Sequence, residues 1–261
     1  MSDGSDGSRR DRRADEHHTD SHRADSHRGD DRSTDSHRAD ELLLARVSEA
    51  AGRARLGRRR AMYRAPVAEP GVWRAAVAGV RHLLRTGGGP GAGAGRARLD
   101  LYEHGLTAAG AGQIRVVRYD ATVVRRRRVL SPPGIVRALE LVDVDGERIV
   151  LRCGDFGRAE VWAPEIRRAV TDAQVPRALA ALAQGARLDF GPVWINRAEI
   201  GSRGTSLRWA RVQRIEILNG SVAVRSADRW QVWGTVSSGI PNLDVLHALA
   251  ERLVAAERDE G

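Results

Sequence analysis

The chain has 261 residues, 41% of them apolar, and a formal net charge of +9, which permits one large domain or two small ones. A single cysteine, Cys153, excludes an intramolecular disulfide and a zinc site built on a cysteine pair. No run reaches the roughly 18–20 apolar residues of a membrane helix, and the N-terminus lacks the apolar stretch of a secretion signal.

All 43 basic side chains are arginine. With the abundance of Ala, Gly and Val, this usage fits a GC-rich genome as well as it fits an anionic ligand. The charge is uneven: residues 1–40 hold eight Arg against eleven Asp and Glu, leaving +12 for residues 41–261.

Residues 1–40 are low in complexity, with Ser-His-Arg-Ala-Asp at 21–25 and 36–40. Five histidines lie there: His17, His18, His22, His27 and His37. Almost no apolar side chain is present to offset the entropy of ordering, so this tail is expected to be disordered and to bind no metal in a defined shell. Residues 41–85 read as a short helical region. Leu42, Leu43, Leu44, Val47 and Ala51 recur at helical spacing behind Asp40 as N-cap, and a second helix is expected over 72–84. Residues 86–96 (TGGGPGAGAGR) form a Gly-rich linker; with no lysine in the chain it is not a phosphate loop.

Residues 97–185 read as a first unit. Strands are expected at 98–106, 114–119, 122–128, 136–144 and 148–152, with a hairpin turn at Asp145-Gly146 and a last short strand at 161–162. A helix, kinked or broken at Pro176, follows from Pro164 to a terminating Gly185. Residues 186–258 repeat that order. Strands fall at 187–190, 193–200, 205–209, 211–218, 222–225 and 229–233, with a turn at Asn219-Gly220, and a final helix covers 242–258. Residues 115–125 (RVVRYDATVVR) lie over 206–216 (SLRWARVQRIE), with an aromatic at Tyr119 or Trp209. Antiparallel strands closed by one amphipathic helix resemble a pleckstrin-homology-like unit. The expected fold is therefore α+β and mainly β: two such units in tandem, each a bent antiparallel sheet or partial barrel with a C-terminal helix, behind a disordered tail.

The runs LYEHGL at 101–106, VVRYD at 116–120, WAPEIRRAVTDAQVPRALAA at 162–181, LDFGPV at 188–193 and IPN at 240–242, together with LGRRRAMYR at 56–64, resemble an actinobacterial family of uncharacterised proteins, domain-of-unknown-function family 6585. The resemblance covers roughly residues 50–258. It implies a pleckstrin-homology-like architecture and no known activity. The arginine run at 125–128 departs from the less basic strand that it leads one to expect.

His82, His104 and His247, the histidines outside the tail, stand far apart and carry no motif. No nucleophile–base pair, carboxylate pair or metal-ligand spacing accompanies them, so the sequence points to a non-enzymatic protein with no cofactor. Arg125, Arg126, Arg127 and Arg128, with Arg118 and Arg137, form a candidate anion patch. As consecutive strand residues they cannot all be buried, and an edge strand guarded by charge is the more economical account of them. Arg58, Arg59 and Arg60 are a candidate membrane-facing surface. Trp162, Trp194, Trp209, Trp230 and Trp233 fall in or beside strands at positions that look inward, which disfavours nucleic acid. The expected partner is a protein, with peripheral attachment to an anionic membrane as the alternative, and the expected location is cytoplasmic, at the inner membrane face in the second case.

Overall fold

Short apolar–polar alternation punctuated by turn residues builds short antiparallel strands, and the chain folds on that plan. The structure, a computed structural model, describes residues 21–65, 97–110, 113–131 and 134–260. Residues 1–20 of the tail, the helix expected at 72–84 and the linker at 86–96 lie outside the described residues. The chain divides into two units, residues 1–46 and residues 47–261. The described part of the first is helix α1 (Ser21–Arg53) up to Arg46; everything below belongs to the second.

After α1, strands β1 (Arg59–Arg64), β2 (Arg98–Tyr102), β3 (Gly105–Gly110) and β4 (Gln113–Arg118) make an antiparallel sheet in that order. β5 (Arg125–Ser131), β6 (Gly134–Val142) and β7 (Arg148–Arg152) make a three-stranded sheet, and helix α2 (Ala159–Ala183) follows. The order then returns. β8 (Leu188–Phe190), β9 (Val193–Ile195), β10 (Glu199–Ser202) and β11 (Thr205–Arg208) form a four-stranded sheet; β12 (Arg214–Leu218), β13 (Ser221–Ser226) and β14 (Arg229–Val236) form a three-stranded one; helix α3 (Leu243–Glu260) ends the fold. The structure is mainly β, with several antiparallel sheets and a C-terminal helix.

The hairpin turns sit where their chemistry requires. Asn219 and Gly220 both adopt positive φ, 51° and 77°, the conformation that matches a two-residue turn to strand twist. At Asp145-Gly146 the Asp143 carboxylate accepts the N–H groups of Asp145 and Glu147. Gly105 begins β3 because a Cβ there would lie 2.1 Å from the Val117 carbonyl oxygen.

Five elements depart from the sequence expectation, the first being the strand expected at 98–106, which turns back at Glu103-His104 to make the antiparallel pair β2 and β3. Helix α1 begins at Ser21, so Asp40 lies inside it and residues 21–40 are helical. Nucleating a helix is costly and extending it is cheap, so the Leu42–Ala51 segment can carry poorer helix formers with it. Arg59–Arg64, expected within a helical region, is a strand that pairs with β2. Only Ala61 and Tyr63 of its side chains are partly covered, in the alternating pattern of a strand. Residues 161–162 are not a strand but the start of α2, which runs unbroken through Pro164 and Pro176. Trp162, Ile166, Val170, Val175 and Leu182 bury one side of it, and that packing outweighs the carbonyl bonds the prolines forgo. The strand expected at 193–200 is cut by Asn196, whose side chain accepts the N–H groups of Ala198 and Glu199.

One continuous core joins both series of sheets. Tyr119 and Trp209, aligned by sequence, each directly follow the fourth strand of their series and are 2% and 1% exposed. Trp162 is fully buried edge-on against Phe156.

Candidate binding surfaces

β5 is an edge strand, which leaves one side of its backbone and most of its arginines outward. The run is nonetheless largely consumed within the fold. Arg125 and Arg127 both pair with Glu140 on β6, and Arg125 also donates to the Gly239 carbonyl. Arg126 pairs with Asp244 on α3, whose same oxygen accepts a bond from Arg167 on α2 at 3.0 Å. Arg128 and Arg137 are exposed, sit directly across from each other on β5 and β6, and make no ion pair among the described residues. Arg118 is engaged elsewhere: it holds Asp120 through two hydrogen bonds and donates to the Ala54 carbonyl. Its guanidinium keeps the Asp120 carboxyl below the usual carboxylate range. Of the six arginines proposed from sequence as one anion patch, the structure thus sets Arg128 and Arg137 side by side, with no acidic partner among the described residues, and it gives the other four partners of their own.

Arg58, Arg59 and Arg60 are exposed on the approach to β1 and at its start. Arg58 faces Glu103 at 3.5 Å and Arg59 faces the buried Asp100 at 3.6 Å.

The segment leading into α3 docks beside β5. The Asn242 N–H donates to the Val124 carbonyl at 2.8 Å, and its side-chain oxygen accepts the Val124 N–H at 2.6 Å. Its amide nitrogen donates to the side-chain oxygen of Gln174 on α2, and Gln174 in turn bonds the Tyr119 and Thr122 carbonyls. Ile240 is buried in the core. The place between β5 and α2 is therefore lined by backbone acceptors, a glutamine and two arginines, and is occupied by residues 239–244 of the same chain. Nothing in sequence marks this site, because its partners lie 52 to 118 residues apart.

The corresponding place in the second series, between edge strand β12 and α3, holds no segment of the chain among the described residues. A cleft of about 370 Å3 runs there, walled by Arg214 and Glu216 on one side and by His247, Glu251 and Arg258 on the other, with Ala250 and Val254 on its floor. His247, expected at the rim of the helix face, contacts the Ile215 carbonyl oxygen at 3.2 Å, and Arg258 donates to the Gln213 carbonyl.

Of the tryptophans read as inward, Trp162 and Trp209 are buried, and Trp209 donates to the Asn196 carbonyl. Trp162 lies on a helix rather than beside a strand. Trp194 carries Arg187 over its ring at 4.3 Å, and Trp230 is 38% exposed.

His104 sits exposed in the β2–β3 turn, its backbone bonded to Leu56 and Tyr119. Among the described residues no group of three or more His, Cys, Asp or Glu is placed to hold a metal ion, and no helix is long and apolar enough to cross a membrane. Cys153 directly follows β7 and is half-buried, and burial pushes its thiol pKa up. A raised pKa means less thiolate at a given pH. Iodoacetamide at neutral pH is therefore expected to alkylate Cys153 more slowly than free cysteine, with the difference closing as pH rises or when urea unfolds the chain. Equal rates in the native protein would show the thiol to be solvated.

No curated protein matches this sequence. A model of a family of unknown function, DUF6585, matches residues 94–259, from just before β2 to the last turn of α3, and the chain belongs to that family.

Proposed function

We propose that the chain is a non-enzymatic interaction module made of two tandem pleckstrin-homology-like units, which binds an extended segment of a partner protein in the cleft between β12 and α3. Two observations support the architecture. A four-stranded sheet, a three-stranded sheet and a helix occur twice in the same order, and buried aromatics occupy the same point in both. The single observation that carries the binding reading is the contrast between the two clefts. The one beside β5 is filled by residues 239–244, which bond to the Val124 backbone and to Gln174. The one beside β12 holds no segment of the chain among the described residues, and only the side chains of His247 and Arg258 on α3 reach its backbone, at Ile215 and Gln213. An edge strand next to a helix is a general acceptor for an extended chain: backbone pairing supplies affinity and the helix face supplies selectivity. Among the described residues His104, Cys153 and His247 fall on different elements and join no cluster of titratable side chains, which supports a binding role over catalysis.

The test is selection of a displayed random-peptide library on the full chain, followed by solution affinities. A consensus peptide is expected to emerge, and to bind at least about tenfold more weakly to Arg214→Glu/Glu251→Arg. Both of these side chains are well exposed at the cleft rim, 68% and 69%, so the exchange leaves stability nearly unchanged. Absence of any consensus, or equal binding by the variant, would overturn the assignment.

A further inference from the structure

The β5–β6 hairpin outruns the sheet that supports it. Pairing of β6 with β7 ends at Ala138 opposite Arg152, while β5 and β6 stay paired out to Ser131 opposite Gly134. Side chains on one face of a strand recur every second residue. On β6 the face that buries Leu141 and Leu139 in the core continues outward to Arg137 and then Ile135. On β5 the matching positions are Arg126, Arg128 and Leu130. Moving outward, the core thus gives way to a pair of arginines, Arg128 across from Arg137, and then to an apolar pair, Leu130 across from Ile135. Leu130 and Ile135 are 76% and 73% exposed, more than any other large apolar side chain among the described residues. Arg125, Arg126 and Arg127 have acidic partners, whereas Arg128 and Arg137 have none among the described residues.

We propose that this hairpin is an anchor for anionic membrane surfaces, separate from the β12–α3 cleft. Leu130 and Ile135 enter the boundary between headgroups and acyl chains, and Arg128 and Arg137 hold lipid phosphates behind them. The two rows are about 6.5 Å apart along the strands, twice the rise per residue. The order from the tip inward, apolar then cationic, is the order of depth in a bilayer, and long arginine side chains reach back toward the phosphates. A surplus of +12 on residues 41–261 adds attraction to the same surface. A protein partner for the same apolar pair would leave two adjacent, like-charged arginines to be neutralised, which an anionic lipid leaflet does without a dedicated acidic site.

Co-sedimentation of the full chain with vesicles tests the assignment. The chain is expected to bind phosphatidylcholine vesicles containing about one third phosphatidylserine, to bind pure phosphatidylcholine at least about tenfold less, and to be released by added salt over the range in which charges are screened. Leu130→Ser/Ile135→Ser and Arg128→Gln/Arg137→Gln are each expected to lower partitioning at least about tenfold, while a change at the exposed Arg208, Arg208→Gln, retains it. All four hairpin positions are exposed, so circular dichroism should match wild type. Failure to bind the anionic vesicles overturns the proposal. So does binding that survives the serine variant and is lost only in the glutamine variant, because that outcome is surface attraction without insertion.

Discussion

Replacing Asp100 with alanine is expected to destabilise the fold by about 3–5 kcal/mol, the cost of removing one partner from a buried ion pair. β2 is covered on both faces. Leu99 and Leu101 join the main core, and between them on the opposite face lies Asp100, fully buried, with Arg98 beside it at 4% exposure. The two carboxylate oxygens accept from the Arg98 Nε and Nη2, a fork-to-fork arrangement that a carboxylate matches and an amide does not. Arg59 adds a longer contact at 3.6 Å. Alanine removes both accepted bonds while the Arg98 guanidinium stays buried. Asn at the same position keeps the volume and one acceptor and should lose less than Ala. Urea unfolding of wild type and both variants measures this directly. A loss below about 1 kcal/mol for Asp100→Ala is what a solvated surface pair gives, and it would mean that this face of β2 is open to water.

How much of this was legible in the sequence depends on how local the cause is. Asp145-Gly146, Asn219-Gly220 and the helix-ending Gly185, at φ 84°, act through their own backbone and were readable from residue type alone. The strand expected at 148–152 and the last helix were likewise set by short-range periodicity. The family was readable from runs such as LYEHGL, although its match starts at residue 94 and leaves out β1. Long-range partners were not readable. Arg59–Arg64 carries too few apolar residues to show a strand pattern, and it becomes one because β2 offers a free edge. Pro164 and Pro176 signal breaks in α2, yet the buried row from Trp162 to Leu182 holds the helix together. The arginine run advertised an anion site, but Glu140 and Asp244, 13 and 118 residues away, take three of its four members. What remains is the pair that pairing register alone brings together, Arg128 and Arg137, with the exposed Leu130 and Ile135 beyond them.

Asn242→Ala is expected to cost about 2–4 kcal/mol, from two separable causes. Asn242 sits at φ 47°, where a side chain with a Cβ is strained by about 1–2 kcal/mol and Asn is better tolerated than most. It also accepts the N–H of Val124, which is 6% exposed. A buried donor left without its acceptor costs about 1–3 kcal/mol. Glycine separates the two, since it relieves the backbone and still leaves Val124 without its acceptor. The expected order of urea midpoints is wild type, then Asn242→Gly, then Asn242→Ala. Equal midpoints for the two variants would assign the whole effect to the lost hydrogen bonds. The shape of the transition carries a second reading. Because a single core runs through both series of sheets, wild type and variants alike should unfold in one step with only the midpoint displaced. Two resolved steps in Asn242→Ala would mean that residues 239–244 join two otherwise independent bodies, and the cleft beside β5 would then be a binding site occupied in cis rather than a part of the core.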